Sequence, residues 1–147
     1  MLANRGREPV VVPSRRAIVL FDGVCGLCNW SIDFLLRHDR HGALRFAPLQ
    51  SRAGQALLRE HGLSPAEFSS VIVIDGSQVY CRSDAVLRAL WRLGVFWRAL
   101  AVLARVVPRS GRDAIYDWVA RNRYRWFGQQ SSCRIPTPDE RQRFLPD

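Results

Sequence analysis

Lysine is absent from this 147-residue chain; its 22 basic residues are all arginine, set against 13 acidic ones. That excludes Schiff-base and lysine-nucleophile chemistry. Also missing is any uncharged apolar run of the ~18 residues that would cross a bilayer. The apolar stretch that follows Arg15 and Arg16, Ala17–Phe21, is five residues long, too short for the core of a secretory signal. The chain is therefore expected in the cytoplasm, where disulfides are usually transient and catalytic rather than structural. Cysteine is scarce, at four residues. In that setting Cys25, Cys28, Cys81 and Cys133 read as redox or metal candidates rather than a disulfide framework. No internal repeat and no low-complexity segment occurs.

What is present suits one domain with a real core: 48% of residues are apolar. Residues 1–15, with Pro9 and Pro13, read as a flexible leader. Residues 16–135 form the domain, including a C-terminal helical extension over about 95–128. Residues 136–147, with Pro136, Pro138 and Pro146, read as an irregular tail. The charge is uneven: residues 1–83 hold 10 Arg against 7 acids, and residues 84–147 hold 12 against 6. The second half is thus the more basic surface.

Ala17–Phe21 has the β-branched, continuously apolar character of a buried strand. A helical pattern follows through Leu27, Ile32 and Leu35. A second strand covers Leu44–Ala47 and stops at Pro48. Ser51 opens a helix that Gly62 ends, and Ser64-Pro65-Ala66-Glu67 reads as a short helical turn. Val71–Ile74 is the strongest strand, and Asp75-Gly76 turns it into a hairpin with Val79 and Tyr80. Ser83 is placed to cap a helix, Val95–Val107 forms another, and Asp113–Phe127 a last one. Strand–helix–strand implies a parallel pair with a right-handed crossover, and the hairpin adds antiparallel strands. The economical solution is α/β: a thioredoxin-like mixed four-stranded sheet flanked by helices, with additional C-terminal helices.

The motif that carries chemistry is Asp22-Gly23-Val24-Cys25-Gly26-Leu27-Cys28, where the first strand hands over to the first helix. Free N–H groups and the positive dipole end at a helix N-terminus favour thiolate over thiol. Cys25 should therefore ionise below the ~8.5 of a free cysteine and attack disulfides. Cys28, one helical turn on, is the resolving thiol. Asp22 either caps the helix or takes and returns the Cys28 proton; as a carboxylate it also opposes thiolate formation. Gly23 and Gly26 permit a tight turn and close approach of a partner's backbone, which makes them candidate substrate-binding residues.

The run Phe21-Asp22-Gly23-Val24-Cys25-Gly26-Leu27-Cys28-Asn29 resembles the signature of the DCC family of thiol-disulfide oxidoreductases, named for its Asp-x-x-Cys-x-x-Cys pattern. The likeness continues through Arg45-Phe46-Ala47-Pro48-Leu49-Gln50-Ser51, Ser83-Asp84-Ala85-Val86-Leu87 and Tyr124-Arg125-Trp126-Phe127-Gly128, with Cys133 and Arg143-Phe144-Leu145, covering about residues 17–145. The resemblance implies a thioredoxin-like fold and dithiol chemistry, without a substrate. Thioredoxins proper place a cis-proline before the third strand, facing the dithiol. Here that stretch is Phe68-Ser69-Ser70-Val71, which leaves Ser70 as the candidate substrate-docking residue.

The implied partners are a protein or small-molecule thiol or disulfide and an external reductant; no cofactor beyond the chain's own thiols is required and no metal is expected. Two other readings stay open. Zinc binding needs four ligands, so Cys81 and Cys133, or His38, His41 and His61, would have to join the pair. A non-catalytic basic module would use the second half: Leu90–Val107 mixes aromatics and aliphatics with Arg92, Arg98 and Arg105, as helices on membrane surfaces do. Packing onto the sheet explains those apolar residues more simply. Arg121–Phe127 alternates arginine with aromatics, a pattern that stacks on single-stranded nucleic acid, but no nucleic-acid module accompanies it. Arg82-Ser83-Asp84 lines the site if it faces the dithiol; otherwise Ser83 is a cap.

Overall fold

The computed structural model describes residues 17–40, 42–63, 71–129 and 136–145. Its centre is a four-stranded mixed sheet in the order β2-β1-β3-β4. Strand β1 (Ala17–Phe21) is buried along its whole length, which is why it carries no polar residue. It pairs in parallel with β2 (Leu44–Pro48), Ala17 opposite Leu44 and Phe21 opposite Pro48. On its other side β3 (Ile72–Asp75) runs antiparallel, and β4 (Gln78–Cys81) closes the hairpin through Gly76, whose φ of +64° suits the turn. Helix α1 (Gly26–His38) is the crossover between β1 and β2.

Strand alternation divides the core. Ala17, Val19 and Phe21 point into one layer with Ile32 and Leu35 of α1 and Ala85 and Ala89 of α3 (Arg82–Trp91). Ile18 and Leu20 point into the other, with Leu57 and Leu58 of α2 (Arg52–Glu60). Helix α2 is opened by Ser51, whose Oγ accepts the Gly54 N–H at 3.0 Å. Two further helices, α4 (Val95–Ala104) and α5 (Arg109–Phe127), follow. This is the thioredoxin-like α/β arrangement expected from the order of elements.

Four local expectations change. Ser83 does not cap α3: the helix starts at Arg82, Cys81 occupies the cap position without a side-chain bond, and the Ser83 hydroxyl donates to Asp113 instead. Helix α4 ends at Ala104 rather than Val107. Helix α5 begins four residues before Asp113, directly after Pro108. The tail is not wholly irregular: a 3-10 turn at Arg141–Arg143 delivers Phe144 against Phe21 and Phe46, with ring centroids 6.2 and 5.7 Å away. Arg143 is anchored there by the buried Asp39. The turn at Ser64–Glu67 and the 1–15 leader fall outside the described residues.

Candidate active site

The loop after β1 is tied down atom by atom. Gly23 donates its N–H to Gln50 Oε1 at 3.1 Å and accepts Asn29 Nδ2 at 2.9 Å on its carbonyl. Both bonds hold Gly23 within its own chain, and the residue is buried. The loop ends with Cys25 in the N-cap position of α1, and Cys25 Sγ accepts the Cys28 N–H at 3.4 Å. A cap position is usually held by a hydroxyl or carboxylate; here the sulfur takes that role, and it does so best as a thiolate.

The electrostatics agree. The Cys25 thiol is pulled down to about 6, chiefly because it accepts a hydrogen bond from the Cys28 side chain, with help from the Cys28 N–H and the Arg123 cation against the cost of burial. Cys28 moves the opposite way: its proton is retained by that same bond, by burial and by the negative charge on Cys25. One proton shared between two sulfurs is thus divided unequally, Cys25 as acceptor and Cys28 as donor.

Asp22 is buried beside them. Its Oδ1 accepts from the Val24 N–H at 3.2 Å and Gln50 Nε2 at 2.7 Å. Its Oδ2 accepts from Arg123 Nη2 at 3.2 Å and from the Tyr124 hydroxyl. Asp22 is therefore not the helix cap; Cys25 is. Arg123 is only 5% exposed and is the one buried residue of α5. Its Nε has no hydrogen-bond partner among the described residues.

Helix α5 also lies over the dithiol. The Gly26 N–H donates to Gly128 O at 3.1 Å, and Cys25 forms an antiparallel bridge with Gln129. A Cβ on Gly26 would stand 2.2 Å from Phe127 O, so glycine is required there. In this structure the backbone lying close against Gly26 is the chain's own, from Phe127 and Gly128. Cys25 is consequently 0% exposed. Further along, the Tyr116 hydroxyl of α5 accepts the N–H of Val71, the residue just before β3. Between α1, α3 and α5 lies a largely apolar cavity of about 390 Å³ with Cys28, Leu27, Ser83, Ile115 and Arg123 in its walls. Ser83 thus faces the dithiol region, while Asp84 turns to Arg109 and Arg112 and Arg82 to Asp117.

Of the residues singled out in the sequence, the structure gathers Asp22, Cys25 and Cys28 and encloses Gly23 and Gly26. Ser70, His41 and Cys133 lie outside the described residues. His38 and His61 bond the carbonyls of Phe34 and Leu57 within their own helices. Cys81 is half-buried beside Arg82, its thiol raised by burial. Among the described residues no three His, Cys, Asp or Glu side chains are placed to hold a metal ion, and no helix is long and apolar enough to cross a membrane. Sequence reasoning missed Arg123, Tyr124 and Gln50. A buried Asp22 calls for a cation, and the Arg121–Phe127 run contained it, read there as a stacking surface.

Comparison with known proteins agrees with this geometry. Residues 19–129 match the family model described as DCC1-like thiol-disulfide oxidoreductase. Protein YuxK of Bacillus subtilis (strain 168) is 42% identical over 135 residues, 92% of this chain and 96% of that protein. A DCC family protein of Arabidopsis thaliana, named as chloroplastic, is 40% identical over 121 residues, 82% of this chain and 70% of that protein. No solved structure matches. With the dithiol at the head of α1 and the family model running from within β1 to the end of α5, the chain belongs to the DCC1-like thiol-disulfide oxidoreductase family.

Proposed function

We propose that the chain is a redox enzyme that exchanges disulfides through Cys25 and Cys28 in a reducing compartment, the cytoplasm expected from the sequence. The observation that carries this reading is the placement of Cys25 at the N-cap of α1, its Sγ accepting the Cys28 N–H at 3.4 Å; the lowered Cys25 and raised Cys28 titrations agree with it.

The Cys25 thiolate attacks one sulfur of a substrate disulfide; a Cys25–substrate bond forms and the substrate bond breaks, releasing a thiolate. That thiolate takes the proton from Cys28, whose thiol no longer has the Cys25 thiolate as its hydrogen-bond acceptor. The Cys28 thiolate then attacks Cys25 Sγ, forms the Cys25–Cys28 disulfide and expels the second substrate thiolate. Two electrons pass to the substrate, and an external dithiol restores the pair. The oxyanions of Asp22 already accept four hydrogen bonds, so its role is to position Arg123 beside the sulfurs rather than to carry the proton. A sulfur that is fully enclosed cannot be attacked in line. The Phe127–Gln129 segment over Cys25 therefore moves aside during turnover, and the cavity at Cys28 receives the apolar part of the substrate.

Differential alkylation with mass spectrometry, before and after dithiothreitol, tests the assignment. A reversible Cys25–Cys28 bridge is expected, together with loss of disulfide reduction in Cys25→Ser. Thiols that never pair under an oxidant, or a Cys25→Ser variant as active as the native chain, would remove it.

A further inference from the structure

Helix α4 is amphipathic in the inverted sense. Val95, Ala99 and Val102 recur at the helical period, with Phe96 and Leu103 beside them, and Val106 follows in the turn after the helix. Such a stripe normally faces a core. Here it faces outward: Val95 is 81% exposed, Phe96 and Leu103 66% each and Val106 80%. The inner side of α4 is made by Ala101, the only buried residue of the helix, and by Trp97, set edge-on to Phe34 at 5.3 Å and His38 at 5.2 Å. The sheet core is thus complete without the stripe. The apolar surface runs on from Phe96 through Trp97 and Phe34 to the stacked, exposed Trp30 of α1.

Charge complements this face. Residues 92–112 contain five arginines and no acidic residue. Arg92 is tied to Asp75, and Arg109 and Arg112 to Asp84. Arg98 and Arg105 have no carboxylate partner among the described residues; both lean over the Trp91 ring, at 5.4 and 5.7 Å, and Arg98 Nε also donates to the Trp91 carbonyl at 3.0 Å. Seven positions apart, they border the stripe on one side of the helix.

We propose that this face of α4 docks the protein on an anionic phospholipid bilayer, the aliphatic and aromatic side chains entering the acyl boundary and the two guanidinium groups that lack a carboxylate meeting lipid phosphates. An apolar stripe edged by cations without countercharge fits that occupant better than a second copy of the chain, because a two-fold contact through this face would place the same arginines in one shared interface. The helix is too short to span a bilayer, so the protein lies on the surface. The inference is independent of the thiol chemistry.

Flotation of the full chain with vesicles tests it, comparing pure phosphatidylcholine with phosphatidylcholine containing phosphatidylglycerol, at low and high salt. Light scattering in the same buffers reports the oligomeric state. Association with the anionic vesicles alone, reversed by salt, is expected. Phe96→Ser with Leu103→Ser, and separately Arg98→Gln with Arg105→Gln, should each weaken it by about tenfold. Both variants keep the reversible Cys25–Cys28 bridge and the native thermal melt. The proposal is overturned by no association with either vesicle, by undiminished association of the Phe96/Leu103 variant, or by a solution dimer that this variant splits.

Discussion

Asp22 and Arg123, 101 residues apart in the chain, form a buried ion pair with Arg123 Nη2 3.2 Å from Asp22 Oδ2, next to the two sulfurs. The pair joins the loop after β1 to the end of α5. Arg123 faces a carboxylate on one side and the dithiol on the other, and its charge helps hold Cys25 as a thiolate.

Replacing Arg123 by Gln therefore moves the Cys25 titration upward. In the reduced native chain the thiolate should appear with a midpoint at about pH 6, followed by the pH dependence of iodoacetamide alkylation. In the variant the midpoint lies higher, and alkylation at pH 6 slows accordingly. An unchanged midpoint would remove Arg123 from the electrostatics of the site.

Asp22→Asn leaves a buried guanidinium without its countercharge. Breaking a buried pair costs about 3 kcal/mol, and the loss should be visible in urea unfolding of both the reduced and the oxidised protein. A stability within experimental error of the native chain would show that the pair is not closed in solution.

The sign of the pH dependence follows from the two thiols. Cys25 ionises at about 6 in the folded chain and at 9.0 when unperturbed. Between these values the unfolded state binds one more proton, so the reduced protein gains stability as pH rises, by at most about 1.4 kcal/mol per unit. Above 9.0 the raised Cys28 reverses the trend, since the unfolded thiol ionises there and the folded one does not. Denaturant midpoints of the reduced chain, taken relative to Cys25→Ser, should climb from pH 6 to 9. A flat difference contradicts a lowered Cys25.

Gly26→Ala sets a methyl group against Phe127 O, at 2.2 Å without relaxation. The end of α5 must lift, so Cys25 in the reduced variant should react faster with an uncharged alkylating agent while the sheet persists by circular dichroism. Equal reaction rates would mean that the segment over Cys25 does not limit access.

Phe144→Ala should cost about 3 kcal/mol, the usual range for emptying a buried aromatic site, although the residue lies three from the end of the sequence. Its ring packs between Phe21 and Phe46. A thermal melt decides it.

What the sequence disclosed was local. Ala17–Phe21, the Asp75-Gly76 hairpin and the Cys25–Cys28 spacing declare themselves through patterns a few residues long, and together they suffice for the sheet and the dithiol. Contacts made at long range were not legible: Asp22 with Arg123, Gly26 with Phe127, Phe144 with Phe21. In each the partner lies about 100 residues or more away, and no period marks it. Helix α4 shows a subtler limit. The spacing of Val95, Ala99, Val102 and Val106 was visible, but a period tells which residues share a face and not what that face meets, so the stripe was assigned to the core. The cap at Ser83 failed for a related reason: Asp113 offers its hydroxyl a stronger acceptor than a helix-end role would give.

On the proposed exchange mechanism, the Phe127–Gln129 segment, packed over Cys25, is a tethered competitor. Because it belongs to the same molecule, its effective concentration at Cys25 is high. A small thiol or disulfide that binds nowhere else meets a sulfur already occupied, however abundant that compound is. A client able to grip the neighbouring cavity draws on additional affinity to displace the segment. Under the proposed function, discrimination between bystanders and true clients would thus begin in the resting form itself, before any electron moves.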